Sequence, residues 1–130
     1  MSKLSAFLKP SPAGKTKEVH LARFTDENGQ IVPFVIKSIT PEESERIARK
    51  CKDKKGNLDK AEYSNQLIVA CMAEPDLRDS ELCQFYGVMD PNMVPGRMFS
   101  IGEKNIISDA IMEINDLWME QETLDEAKNS

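Results

Sequence analysis

One histidine, three cysteines and a few clustered carboxylates are the first places to look for chemistry in this chain of 130 residues. His20 lies between Val19 and Leu21 in a stretch that alternates like a strand, which puts it on the face opposite to theirs. A general base or metal ligand needs partners, and no Cys, Asp or Glu constellation stands near it to build a triad or a metal site. Cys51, Cys71 and Cys83 are odd in number and show no CxxC spacing. That pattern argues against structural disulfides and zinc, and reads as free thiols that are buried or half-buried. The carboxylates of Glu74-Pro75-Asp76, or of Asp109, Glu113 and Asp116, have the type needed for paired acid–base work. The second set, however, recurs on the polar side of an amphipathic helix, as a solvated face does. Walker, GxGxxG, HExxH and GxSxG patterns are all absent. No catalytic, cofactor-binding or metal residue is assigned, and the expectation is a binding protein rather than an enzyme.

The elements that would position such residues organise around Ser100–Met119. There Ile106, Ile107, Ala110, Ile111, Ile114, Leu117 and Trp118 recur as one wide helical face. Ser100 and Glu103 form a capping box, so the helix begins near Ile101. Earlier in the chain, Val19, Leu21 and Phe24 alternate with polar residues, and IVPFVIKSI is rich in β-branched side chains. With DENG between them, a β-hairpin over 16–39 is expected, with Gly29 at positive φ. Pro33 donates no ladder hydrogen bond and must face an edge or a bulge. Thr40-Pro41-Glu42-Glu43 starts a helix that runs to about Lys52. Its basic end, from Arg46 to Lys55, suits a helix C-terminus and its partial negative charge. Asp59 and Glu62 box the next helix, with Leu58 and Tyr63 as a hydrophobic staple; Tyr63, Leu67, Ala70 and Cys71 line its inner face, and it ends before Pro75. A short helix carrying Leu82, Phe85 and Tyr86 stops at Gly87. A turn through Met93, Val94 and Met98 leads back to the long helix. The fold class is therefore α+β, mainly α: an N-terminal hairpin packed on a bundle of about four to five helices.

A chain of this length is expected to form one core, with a flexible arm at 1–15, a globular domain at 16–119 and an acidic, disordered tail at 120–130. Without a signal-peptide h-region or a run of ~18 apolar residues, it is expected to stay in the cytoplasm and away from membranes. The net charge of −5 hides an asymmetry: residues 1–60 carry 13 basic against 8 acidic side chains, and residues 61–130 carry 4 against 14. Opposed ends of this kind suit head-to-tail association or an asymmetric partner surface, although solvated faces look the same in sequence. The basic footprint is too weak for nucleic acid to be a favoured partner. On the arm, Leu4, Phe7 and Leu8 sit at helical spacing before Pro10, placed either to dock on a neighbouring subunit or to fold back on the core. Methionines cluster at Met89, Met93 and Met98, as adaptable contacts or as core filler. Trp118 is a core cap or an interface anchor. Leu4, Phe7, Leu8, Met93, Met98 and Trp118 are the candidate partner or self-association residues.

The order LSAFL, PFVIKSITPEE, KAEYSNQLIVACMAEPDL, DSELCQFYGV and GEKNIISDAIMEI resembles the XkdN-like tail assembly chaperones of phages and defective prophages, from about Leu4 to Leu117. The resemblance implies a role but no active site. It implies a small, mostly helical viral protein that binds the long tape-measure protein and keeps it soluble while tail-tube subunits polymerise around it. It further implies residence in the host cytoplasm, absence from the finished virion, and in many cases a longer product made by ribosomal frameshifting. Two other classes stand against it. A small regulatory DNA-binding protein of a prophage would use the hairpin as a wing and the Arg46–Lys55 cluster on phosphates. A small enzyme would use the 75–103 loops as a pocket.

Overall fold

A computed structural model of the chain describes residues 3–10 and 14–116. β1 (Thr16–Val19) and β2 (Phe34–Lys37) pair antiparallel, with Thr16 opposite Lys37 and Val19 opposite Phe34. Alternation sends Val19, Phe34 and Ile36 inward and leaves His20 exposed. The tight turn falls where expected: the Asp26 carboxylate accepts the N–H groups of Asn28 and Gln30, and Gly29 sits at φ 78°. The paired strands are nonetheless shorter than 16–24 and 30–39. A turn closes at Leu21, whose carbonyl accepts the Phe24 N–H, and β2 starts only after Pro33, where every residue again has an N–H to donate.

The hairpin is also not the whole sheet. Met72–Glu74, expected as the tail of a helix, forms β3 and pairs antiparallel with β2, giving the order β1-β2-β3. The local residues Met72 and Ala73 carry little strand preference, so it is the free edge of β2 that recruits them.

α1 (Pro41–Lys50) carries the full Thr40/Glu43 capping box and ends short of Lys52. α2 (Lys60–Cys71) is capped by the Asp59 side chain, but the Glu62 carboxylate accepts from Gln66 Nε2 instead of closing a box. α3 (Ser80–Phe85) is stopped by Gly87 at φ 67°. A single 3-10 turn, Pro91–Met93, precedes α4 (Val94–Met98), and α5 spans Ile101–Ile114 with the Ser100/Glu103 box complete.

α2 is the central helix, touching α1, α4, α5 and the 3-10 turn, while α5 lies across β1 and β2. Ile36, Ile68, Leu77, Val94, Ile107 and Ile111 are fully buried where these layers meet. Burial of each such side chain contributes about 1.5–3 kcal/mol. Phe24, Phe34 and Phe99 pack edge to face, with ring centroids 4.9 to 5.9 Å apart, and join the sheet to the start of α5.

Ile107, Ala110, Ile111 and Ile114 form the expected core stripe of α5, but Ile106 lies beside the stripe, half exposed. The helix closes at Ile114 and not at Met119. Asn115 folds its side-chain amide back to the Ile111 carbonyl at 2.9 Å, and Asp116 takes φ 61°, a left-handed conformation that Asp tolerates. Leu117, Trp118 and the tail at 120–130 lie outside the described residues. Among the described residues, no helix is long and apolar enough to cross a membrane.

Candidate partner-binding surface

The residues with catalytic types lie apart: the three cysteines are in the core and His20 is on the surface. Cys51, Cys71 and Cys83 are free and buried. Burial pushes the Cys71 thiol up to about 11, and burial also raises that of Cys51, helped by nearby Glu62 and Asp59. Cys83 Sγ donates to the Leu77 carbonyl at 3.4 Å, which makes it a structural group of the core. The exposed His20 has Glu18 at 3.8 Å as its carboxylate neighbour. Among the described residues, no group of His, Cys, Asp and Glu could hold a metal ion.

The carboxylates of α5 are not merely a solvated face. Lys15 Nζ meets Asp116 at 2.9 Å, and Lys17 pairs with Glu113. At the other end of the helix, Arg23 grips Glu103 through Nε at 3.1 Å and Nη2 at 2.7 Å, and Nη2 also donates to the Met98 carbonyl at 2.6 Å. The Arg23 hydrogen bonds and the Ser100 N–H hold the Glu103 carboxyl down to about 2. These groups strap the sheet to α5 at both ends, so their role is structural.

What the fold leaves outward lies between Pro75 and Met93. The Asp79 side chain accepts the Leu82 N–H and starts α3 there, while Leu77, Cys83 and Val88 turn inward and pin the segment to the core. With Cys83 buried, Phe85 falls on the opposite side of the short helix, 81 % exposed, its ring edge-on to Tyr86 with centroids 4.9 Å apart. Met89 follows, fully exposed, and Met93 is half exposed. An open groove of about 520 Å³ is lined by Pro75, Leu82, Phe85 and Tyr86 together with the carboxylates of Asp76, Asp79 and Glu81. Apolar side chains and carboxylates lining one groove suit a partner segment of apolar side chains flanked by Lys or Arg. A second, polar groove of about 240 Å³ lies between α1 and α2, lined in part by Arg46, Lys50 and Arg78 together with Glu43.

The sequence candidates separate in this structure. Leu4, Phe7 and Leu8 are 61, 78 and 69 % exposed on and just after a 3-10 turn, Lys3–Phe7. Met93 stays on the surface beside the groove segment. Met98 is corrected: it is only 7 % exposed and is part of the core, because α4 is held inward by fully buried Val94 and Pro95. Trp118 lies outside the described residues. Phe85 is a surface residue that sequence reasoning places on a short helix without assigning it to either face, and it is not among the sequence candidates. The available signal is the spacing of Cys83 and Phe85, since residues two apart on a helix point to nearly opposite sides.

The chain matches the family model described as phage XkdN-like tail assembly chaperone protein over residues 4–128. It is 30 % identical to the phage-like element PBSX protein XkdN of Bacillus subtilis, across 95 % of this chain and 93 % of that protein. It is equally 30 % identical to the uncharacterized protein YqbN of the same organism, across 94 % of this chain and 90 % of the other. The crystal structure of YqbN superposes with a TM-score of 0.66 at 28 % identity, covering 85 % of this chain and 94 % of that one. With nearly the whole chain matched in both sequence and fold, this protein belongs to the XkdN-like phage tail assembly chaperone family.

Proposed function

We propose that the chain acts by binding and not by catalysis: it holds the tape-measure protein soluble in the host cytoplasm while tail-tube subunits polymerise around it, and leaves before the virion is finished. Family membership supports the tail-assembly role. The observation that carries a binding mode is the Phe85–Met93 segment, where aromatic and methionine side chains stand exposed on a backbone pinned by Leu77, Cys83 and Val94. Methionine and aromatic side chains together adapt to long, irregular apolar partners, and the groove carboxylates favour those whose apolar stretches are flanked by basic residues.

Co-expression tests this reading. The tape-measure protein of the same phage element is produced with and without this chain, and its soluble fraction is measured. A rise in solubility that is lost with Phe85→Asp or Met89→Asp is the expected result. A soluble fraction indifferent to the chain, with no complex recovered, overturns it.

A further inference from the structure

Two exposed apolar surfaces of opposite charge occur on this one chain. The first is the arm, where Leu4, Phe7 and Leu8 sit at helical spacing, with Lys3 and Lys9 on the same segment and no acidic residue before Glu18. The second is the groove beside α3, lined by Leu82 and Phe85 together with Asp76, Asp79 and Glu81. We propose that the arm of one copy docks in this groove of a second copy, Phe7 and Leu8 against Phe85 and Leu82, with Lys3 and Lys9 meeting the groove carboxylates.

Chemistry and topology both favour this pairing. Asp76 and Asp79 each use Oδ1 for a local backbone N–H, from Arg78 and Leu82, and a carboxylate has a second oxygen to offer a lysine. β1 and β3 both run antiparallel to β2 and so parallel to each other. The arm leads into the start of β1 at one edge of the sheet, while the groove follows the end of β3 at the other edge. Two strand spacings of ~4.8 Å and the length of the sheet therefore separate them. In this structure Leu4, Phe7 and Leu8 are exposed and none of them lines the groove, so the arm does not fill the groove of its own chain, and a neighbour's groove stands open to it. Because arm and groove are different surfaces, reciprocal exchange between two copies closes a two-fold dimer, and one-way, heterologous docking propagates a chain of copies.

An arm of this length covers less than the ~1,600 Å² of a standard interface. Self-association is accordingly concentration-dependent, and screening of the lysine–carboxylate contacts weakens it. The inference goes beyond the chaperone reading, since it needs no tail component and is tested on the full chain alone.

Sedimentation velocity of the purified full chain, across concentration and at low and high salt, is the test. The expected average mass rises above that of a monomer with concentration and falls with salt. Phe7→Asp and Phe85→Asp, both at exposed positions, each weaken association by about tenfold or more, as loss of a central aromatic anchor does. Lys9→Glu weakens it, and adding Glu81→Lys restores it. Mixing a Phe7→Cys chain with a Phe85→Cys chain yields a disulfide-linked pair of copies under mild oxidation. A monomer at every concentration overturns the proposal, as does an oligomer that Phe7→Asp leaves intact. A disulfide that closes within a single chain carrying both Phe7→Cys and Phe85→Cys shows the arm in its own groove, and overturns it as well.

Discussion

The face where α5 meets the sheet and the segment from Pro75 to Met93 use similar side chains to opposite ends. On α5, Ile107, Ala110, Ile111 and Ile114 are all buried, and the pairs Lys15–Asp116, Lys17–Glu113 and Arg23–Glu103 join residues far apart in sequence. In the second region, Phe85, Met89 and Met93 are outside, and much of the shape comes from aspartates that accept backbone N–H groups two or three residues on: Asp76, Asp79 and Asp90. One region converts apolar surface into stability. The other holds it still in water, which lowers the ordering cost when a partner arrives.

Core truncation is the strongest way to break that comparison. Ile107→Ala or Ile111→Ala should lose about 2–5 kcal/mol in urea unfolding, whereas Phe85→Ala or Met89→Ala should stay within about 0.5 kcal/mol. A Phe85→Ala loss as large as that of Ile111→Ala would mean that the exposed segment is part of the folding core after all.

Helix caps give a smaller and more discriminating effect. Ser100→Ala and Asp79→Ala should each cost about 1 kcal/mol, because each removes the acceptor for an otherwise orphan backbone N–H. Partner capture by a pull-down should fall for Asp79→Ala and hold for Ser100→Ala, since only α3 carries the groove.

Acid separates the regions by pH. The folded Glu103 carboxyl sits near 2, below its ordinary 4.5, because Arg23 and then the Ser100 N–H bond its charged form. Its contribution is therefore fully present above about 4.5 and is lost as pH falls toward about 2. Urea midpoints taken through this window should fall less steeply for Glu103→Gln than for the unsubstituted chain.

The smallest effect belongs to the exposed strap: Lys15→Met should change stability by less than about 1 kcal/mol, with high salt reducing the difference further. A larger loss would make the sheet-to-α5 contact more electrostatic than its burial implies.

Much of the fold is legible residue by residue. Thr40 with Glu43 and Ser100 with Glu103 start their helices as read, Gly29 and Gly87 take positive φ, and Val19, Leu21, Phe34 and Ile36 face inward by simple alternation. Met98, a candidate partner residue, is found in the core, and Phe85, which the reading assigns to no face, is found at the surface. Each lies on a helix of five or six residues, too short for periodicity to define an inner face. The Asn115-Asp116 stop is present in the sequence as two residues that favour helix ends, but the apolar pattern running on to Trp118 obscures it.

Features whose causes lie within three or four residues follow from the sequence with no further information: caps, turns, terminating glycines, and the apolar stripes of the strands and of α5. Three outcomes required the closed fold: Met72–Glu74 joining β2 as a third strand, Lys15 and Lys17 pairing with the end of α5, and the groove carboxylates lying together with Phe85. They depend on which free edge or charge stands nearby after the chain has closed on itself, and local spacing carries no record of such neighbours.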